Sequence, residues 1–242
     1  MSPFRKAVFH TTVAHLRDLP QDSLREVAFA GRSNAGKSSA INTLVSQTRL
    51  AFVSKTPGRT QNLNYFSLGD GKFFVDLPGY GFAKTPEEIR GRWEDLLAPY
   101  LLYREPLTGL ILIMDCRHPM TDLDKQMIAW FSQTGKPIHI LLSKADKLTR
   151  QEQAKMIRGV EAALAEMGVG TGVSAQLFSS LKRDGLAGAM TILCDWLDMT
   201  PEKEGTPPSS VRKTARIKNR SAMGWSARTA KKPSAAVSSG KK

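Results

Sequence analysis

An eight-residue motif near the N-terminus constrains this chain more than any other feature. It runs Gly31-Arg-Ser-Asn-Ala-Gly-Lys37-Ser38 and matches the pattern G-x-x-x-x-G-K-[ST]. The glycines let successive backbone N–H groups converge on phosphate oxygens at the start of the following helix. Chance matches in a chain of this length are on the order of 1%. The motif therefore predicts a strand–loop–helix unit that binds a nucleoside triphosphate.

The segments around this motif predict an α/β fold. Helix-period segments alternate with short apolar runs, and this alternation implies a mainly parallel sheet with right-handed crossovers. A hairpin around Gly69-Asp70-Gly71 adds an antiparallel strand at one edge. The predicted strands are 27–30, 62–68, 72–76, 107–115 and 137–143, and the predicted helices are 37–46, 86–103, 121–134, 149–167 and 184–197.

Charge is distributed unevenly along the chain. Of the 35 Lys and Arg residues, 11 lie in residues 201–242, beside only 2 of the 22 Asp and Glu residues. This segment is rich in Pro, Ser and Gly and has few large apolar side chains, so we expect it to be disordered in isolation. We therefore divide the chain into a nucleotide-binding domain, 1–199, and a basic tail, 200–242.

The remaining composition argues against several classes of protein. No apolar run approaches the ~20 residues that a membrane span needs, and the N-terminus has no apolar signal-peptide region. Cys116 and Cys194 lie far apart, which indicates free thiols in a reducing compartment. We expect a monomeric protein of the cytoplasm with no membrane partner.

Two segments predict how a triphosphate and a metal ion are bound. Asp76-Leu-Pro-Gly79 ends a predicted strand, so Asp76 would hold Mg²⁺ through water and the Gly79 amide would contact the γ-phosphate. The polar loop 55–61 contains Thr60, whose hydroxyl would ligate Mg²⁺ when a triphosphate is present. Taken alone, each string is also an ordinary Pro-Gly turn.

Selection of the base is predicted from Ser143-Lys144-Ala145-Asp146. An aspartate in this loop accepts two hydrogen bonds from guanine, whereas adenine would leave the carboxylate unpaired. A further predicted strand, the last in the chain, ends before Phe178-Ser179-Ser180, and this loop would place backbone amides against the guanine O6. The competing string Val173-Ser174-Ala175 lies inside that strand, so we reject it. A lone K-x-D is usually a solvated surface pair, and only its position after the P-loop motif favours base binding.

Five strings, in order along the chain, closely resemble the EngB family of bacterial GTPases (also called YihA or YsxC). They are GRSNAGKSS, KTPGRTQNLNYF, DLPGYGFAK, SKADKL and FSSLK. The resemblance covers roughly residues 5–198 and leaves the tail outside. It implies a Ras-like domain with a six-stranded mixed sheet flanked by helices, which binds GTP and GDP with Mg²⁺. It also implies a role in late assembly of the large ribosomal subunit and in normal cell division and septation.

The resemblance assigns roles residue by residue. Ser38 and Thr60 would bind the metal, with Asp76 acting through water, while Lys37, Thr60 and Gly79 would act in hydrolysis. Ser143 stands where the family more often has threonine, and its hydroxyl would still brace the loop. The predicted nucleotide-binding residues are Gly31, Arg32, Ser33, Asn34, Ala35, Gly36, Lys37, Ser38, Ser39, Gly58, Arg59, Thr60, Gln61, Asp76, Leu77, Pro78, Gly79, Ser143, Lys144, Ala145, Asp146, Phe178, Ser179 and Ser180.

Two positions bear on the rate of hydrolysis. Ras-like enzymes use a glutamine after D-x-x-G to orient the attacking water, and here that position is Tyr80, which has no amide. We therefore expect slow intrinsic hydrolysis, with loops 55–60 and 79–84 ordered by the triphosphate and released afterwards. Asn34 suggests a K⁺ site, since some related GTPases with this asparagine bind K⁺ beside the phosphates.

Alternatives remain for the tail and for the whole protein. The tail would bind ribosomal RNA through its positive charge, or it is a solubilising extension without a partner. The whole protein would be a switch in ribosome assembly, or a cell-division scaffold that acts at the septum without binding ribosomes. A P-loop ATPase or kinase is a third interpretation, and Ser143-Lys144-Ala145-Asp146 argues against it.

Overall fold

The apolar strands of this chain form one mixed sheet, and its amphipathic helices pack against that sheet. The computed structural model describes residues 2–51, 62–80 and 93–200. The strands are β1 (Val8–Val13), β2 (Arg25–Gly31), β3 (Leu63–Gly69), β4 (Lys72–Asp76), β5 (Leu107–Asp115), β6 (Ile138–Ser143) and β7 (Val173–Leu177). They lie in the order β1-β3-β4-β2-β5-β6-β7.

The described strands number seven, one more than the resemblance implied. The additional strand, β1, pairs antiparallel with β3, and β3 pairs antiparallel with β4. The other neighbouring pairs are parallel, so β3 alone runs against the rest. The expectation that the hairpin strand lies at an edge was therefore wrong, because β1 covers it. The first two residues of β1, Val8 and Phe9, are exposed, so hydrophobic periodicity did not identify this strand.

Five α-helices lie within the described ranges, four between strands and one after the last strand. They are α1 (Lys37–Leu44), α2 (Ala98–Tyr103), α3 (Asp122–Ser132), α4 (Arg150–Glu166) and α5 (Leu186–Leu197). A π-helical turn, Trp93–Leu97, precedes α2. The first part of the predicted helix 86–103 lies outside the described residues. None of the helices in the described ranges is both long and apolar enough to cross a membrane.

The core consists of two apolar layers, one on each face of the sheet. Side chains alternate along β5, where Leu110 and Leu112 join one layer and Ile111 and Ile113 join the other. Helices α2, α3 and α4 supply side chains to the first layer, and α1 and α5 supply them to the second. Both faces of the central strands are therefore buried, as their continuous apolar sequences predicted.

The carboxyl ends of β2, β4, β5 and β6 meet at the same edge of the sheet because these strands are parallel. Loops that follow such strands commonly form ligand sites in open α/β folds. Contacts divide the chain into two units, Met1–Glu204 and Gly205–Lys242, and the described fold belongs to the first. Of the predicted tail, 200–242, only Thr200 lies within the described residues.

Candidate nucleotide-binding site

The P-loop leads from β2 directly into α1. Gly36 has φ +100°, a left-handed conformation that strains any residue with a side chain, and it precedes Lys37, the first residue of α1. A Cβ on Gly31 would lie 2.6 Å from the Ile113 carbonyl oxygen, so β2 and β5 could not approach as closely with another residue there. Both glycines are therefore required by backbone geometry, and they leave the loop's N–H groups free of side-chain cover.

Lys37 and Asp76 form a buried ion pair at the bottom of this loop. The Lys37 ammonium contacts the Asp76 carboxylate at the end of β4. The two side chains are 10% and 6% exposed. Ser38, the predicted metal ligand, follows Lys37 in the first turn of α1. The predicted phosphate-binding cation and metal-binding carboxylate are thus neighbours, although they come from different elements.

The segment 76–80 runs beside the P-loop. The Ser33 amide donates to the Tyr80 carbonyl oxygen at 3.1 Å, and the Tyr80 amide donates to the Gly31 carbonyl oxygen at 3.3 Å. A Cβ on Gly79 would lie 3.0 Å from the Ser33 hydroxyl oxygen. These contacts place the backbone of Gly79 against the P-loop, where the sequence predicted that its amide would contact a γ-phosphate.

The Tyr80 side chain contacts α3. Its hydroxyl donates to Asp124 Oδ1 at 2.7 Å, and burial, followed by the Asp124 charge, holds the pKa of Tyr80 well above its usual range. Asp124 is itself fully buried. Its other carboxylate oxygen accepts from the Thr121 amide and hydroxyl in the capping box of α3. Sequence reasoning identified Tyr80 but missed Asp124, although the spacing of Thr121 and Asp124 before an apolar run is a capping-box pattern.

The loop after β6 is hydrogen bonded to the P-loop. The Ser143 hydroxyl donates to the Ala35 carbonyl oxygen, so serine does brace the loop as expected. Lys144 has a left-handed backbone with φ +59°, and its ammonium donates to the Asn34 carbonyl oxygen at 2.8 Å. The P-loop and the predicted base-binding loop therefore form one hydrogen-bonded unit.

Asp146 is oriented by the loop that follows β7. The Ser179 hydroxyl donates to Asp146 Oδ1 at 2.6 Å, and Ser179 is fully buried. The Ala145 amide donates to the Phe178 carbonyl oxygen at 3.1 Å, which ties the two loops together a second time. The rejected string Val173-Ser174-Ala175 lies within β7, as predicted.

The described site residues therefore meet at the carboxyl edge of the sheet. Leu77 and Phe178 are buried in the core, so only their backbone atoms are available to a ligand. Gly58, Arg59, Thr60 and Gln61 lie outside the described residues, as do the whole predicted switch loop 55–60 and residues 81–84 of the predicted switch loop 79–84. Sequence reasoning missed Asp115, at the end of β5, which receives hydrogen bonds from Lys144 and Arg117.

Comparisons with known proteins identify the family. A model described as "50S ribosome-binding GTPase" matches residues 26–144. The probable GTP-binding protein EngB of Dechloromonas aromatica is 64% identical over 209 residues, which cover 86% of this chain and 95% of that protein. The chain belongs to the EngB family. A second EngB, from Neisseria gonorrhoeae, is 53% identical over 207 residues and is covered over 99% of its length.

Solved structures show the same fold. A probable GTP-binding protein EngB superposes with a TM-score of 0.55 and 19% identity, covering 72% of this chain and 98% of that one. Aquifex aeolicus Era gives a TM-score of 0.56 at 20% identity, covering 74% of this chain and 57% of that one. The α/β P-loop GTPase fold is thus confirmed. As a member of the EngB family, the protein binds GTP and GDP and is a GTPase.

Proposed function

We propose that this EngB-family protein is a Mg²⁺-dependent GTP switch in assembly of the large ribosomal subunit, and that normal cell division and septation require it. The match of residues 26–144 to a family described as 50S ribosome-binding GTPases carries the ribosomal part of the proposal. The uneven charge supports it, because 11 Lys and Arg against 2 Asp and Glu in residues 201–242 suit binding to RNA phosphates.

The triphosphate would lie against the P-loop. Lys37 would move its ammonium from Asp76 to the β- and γ-phosphates, and the Gly79 amide would donate to the γ-phosphate. The oxygen ligands Ser38, Thr60 and, through water, Asp76 suit Mg²⁺, which prefers hard oxygen donors. When bound, Mg²⁺ neutralises charge that develops on the phosphate oxygens. With Lys37 at the phosphates, the Asp76 carboxylate would be free to hold Mg²⁺ through a water molecule.

The guanine base would be held by Asp146 and the loop 178–180. The Asp146 carboxylate is 7% exposed and already oriented by Ser179, so it can accept from N1–H and the exocyclic amine with little reorganisation. Adenine has neither donor in that arrangement and would leave a largely buried carboxylate unpaired, which is costly. The Ser179 and Ser180 segment would contribute the guanine O6 contact.

Hydrolysis by the protein alone is expected to be slow. The Tyr80 hydroxyl is committed to Asp124 and offers no amide to orient the attacking water. Single-turnover GTP hydrolysis without a partner should therefore fall orders of magnitude below the ~10 s⁻¹ of partner-stimulated GTPases. A rate within that stimulated range would contradict the proposal that this protein is a switch.

A potassium ion beside the phosphates would supply positive charge in place of an arginine finger. Asn34, at the exposed tip of the P-loop, would be its side-chain ligand. GTPase rates measured with ribosomal particles in KCl and in NaCl test this part of the proposal. A higher rate in KCl supports a K⁺ site, and equal rates rule it out.

Cosedimentation with ribosomal subunits tests the function directly. The full chain should sediment with large-subunit particles in a non-hydrolysable GTP analogue and less in GDP or without nucleotide. A chain lacking 201–242 should bind particles more weakly, especially as salt rises, while its GDP affinity stays unchanged. Absence of ribosome binding together with localisation to the septum would favour the alternative, a nucleotide-dependent division scaffold.

A further inference from the structure

Asp115 lies beside the predicted base-binding loop but belongs to another strand. It is the last residue of β5, and the sheet pairs it with Ser143, the last residue of β6. The Cys116 amide donates to the Ser143 carbonyl oxygen at 3.0 Å and continues this pairing past the strands. Asp115 is therefore held at a fixed position next to Lys144, two residues before Asp146.

The Asp115 carboxylate accepts hydrogen bonds from two cationic side chains. Lys144 Nζ donates to Asp115 Oδ2 at 2.9 Å. Arg117 donates to the same carboxylate through Nε at 2.9 Å and Nη2 at 2.6 Å, and through its backbone amide at 3.1 Å. These hydrogen bonds hold the pKa of Asp115 well below its usual range despite its burial. Asp115 thus stays charged, and Arg117 fixes its orientation.

Lys144 spans from Asp115 to the P-loop. Its ammonium donates to the Asn34 carbonyl oxygen as well as to Asp115, so both ends of the bridge are defined. The Lys144 backbone is left-handed, a strained conformation that persists only where surrounding contacts maintain it. A free lysine side chain samples many rotamers, and these contacts select one.

We propose that Asp115 is a positioning residue of the guanine site. Asp115 holds the side chain of Lys144 so that its aliphatic part lies against the face of the base while its ammonium stays hydrogen bonded to the P-loop. The inference rests on the proposed role of Lys144 and Asp146 in binding guanine. Asp115 acts through Lys144 and not through Asp146. It therefore contributes equally to GDP and GTP, and it leaves discrimination between purines to Asp146.

Inosine nucleotides separate the two roles. They keep the N1–H of guanine but lack its exocyclic amine, so the ratio of GDP to IDP affinity reports on Asp146. Asp115→Asn should weaken both GDP and IDP about tenfold, the effect of losing one charge-assisted hydrogen bond, and leave their ratio unchanged. Lys144→Met, which keeps the apolar stem, should give a similar loss. The double variant should lose no more than either single variant, because both act through one contact.

The affinities of full-length variants for GDP, GTP and IDP are measured by calorimetry, with thermal unfolding as a check on folding. Asp122→Asn, at an exposed carboxylate in the first turn of α3, is the matched control and should bind as wild type does. Arg117→Ala removes the side chain that orients Asp115 and should lose less affinity than Asp115→Asn, because Asp115 still binds Lys144. If Asp115→Asn does not fold, Lys144→Met tests the inference alone.

Three results would overturn the inference. They are wild-type affinity in Asp115→Asn or Lys144→Met, a GDP to IDP ratio that falls towards one in Asp115→Asn, and additive losses in the double variant. A failure of the guanine-site assignment itself differs from these, because the wild-type protein would then bind IDP as tightly as GDP.

Discussion

Asp146 and Ser179 lie on loops that follow different strands, and their side chains meet at 2.6 Å. A serine hydroxyl has one proton to donate, so Ser179 occupies only Oδ1 of Asp146. The second carboxylate oxygen of Asp146 can still accept hydrogen bonds from a ligand. A single residue therefore decides base selectivity, because the Asp146 carboxylate accepts from the hydrogen-bond donors on the edge of a purine and is left unpaired by acceptors.

Replacing Asp146 with asparagine tests this selectivity. Asp146→Asn loses two charge-assisted hydrogen bonds to guanine and should lower GDP affinity at least about a hundredfold. The asparagine amide can instead donate to the carbonyl oxygen at C2 of xanthine, so affinity for xanthosine diphosphate should rise. Calorimetric titration with both nucleotides gives the result, and unchanged preference for GDP would contradict the role of Asp146.

At the scale of elements, the segment 76–80 connects the P-loop to α3. Tyr80 makes both connections, through its backbone to Gly31 and Ser33 and through its hydroxyl to Asp124. The N-terminus of α3 is consequently sensitive to the position of a loop that is proposed to sense the γ-phosphate. Two elements that are far apart in the chain thus share one hydrogen-bonded residue.

Removal of the Tyr80 hydroxyl should loosen this connection. Tyr80→Phe leaves a fully buried carboxylate with one donor fewer and should lower the free energy of unfolding by about 2 kcal/mol. Hydrogen exchange at the first turn of α3 should accelerate. Tyr103→Phe is the matched control, because Tyr103 is exposed on α2. Denaturant unfolding measures both variants, and equal stability of the two would show that the bond to Asp124 contributes little.

The β6–β7 pair contains a buried histidine with a pH-dependent contribution. His139 is hydrogen bonded through Nδ1 to Ser174 at 2.8 Å and through Nε2 to Gln176 at 3.1 Å. Burial lowers its pKa, partly offset by the bond to Gln176. As pH falls, His139 is therefore protonated in the unfolded chain before it is protonated in the folded protein. The contribution of His139 to the free energy of unfolding is complete above the unfolded pKa of about 6.5 and is lost below it.

Unfolding by urea at a series of pH values tests this contribution. Between about pH 7 and pH 5 the free energy of unfolding should fall more steeply for wild type than for His139→Asn, which has no imidazole to protonate. His118→Asn, at an exposed position, serves as the control and should keep the wild-type slope. Parallel slopes for wild type and His139→Asn would contradict the depressed pKa.

At the scale of the whole molecule, the sheet carries a polar cluster at the end opposite the nucleotide site. Glu26, fully buried near the start of β2, accepts from Arg104 at 2.7 and 3.0 Å, from Tyr100 at 2.9 Å and from Tyr65 at 3.2 Å. Burial and then the Glu26 charge raise the pKa of Tyr65 and Tyr100 well above their usual range, so both hydroxyls stay protonated as donors. The cluster joins β2, β3 and α2.

Disruption of this cluster should affect stability without changing nucleotide binding. Glu26→Gln leaves the Arg104 guanidinium partly buried without its ion pair and should reduce the free energy of unfolding by about 3 kcal/mol. GDP affinity should remain that of wild type, because the cluster lies at the other end of the strands. Glu105→Gln, at an exposed carboxylate, is the control. A matching loss of GDP affinity would show that the two ends of the sheet are coupled.

The sequence by itself determined the P-loop, the alternation of strands and helices after β1, and the loops that carry Asp76, Lys144, Asp146 and Ser179. These features follow from local rules that operate over a few residues. The rules are the need for glycine at certain backbone conformations, the periodicity of apolar side chains and the fixed spacing of motifs. The predicted edge position of the hairpin failed because the pairing of β1 with β3 joins residues fifty or more positions apart.

Tertiary structure alone decided the pairing of β1, the bond from Tyr80 to Asp124, the bridge from Asp115 to Lys144 and the cluster around Glu26. The hydrogen bonds of Tyr80 with Asp124, of Lys144 with Asp115 and of Arg104 with Glu26 join residues that lie 29 to 78 positions apart in the sequence. No periodicity in the sequence encodes such a pairing. Buried charges and hydroxyls must find partners wherever the fold brings them. Which partners they find depends on the packing of strands and helices, so these contacts emerge only when the sheet is assembled.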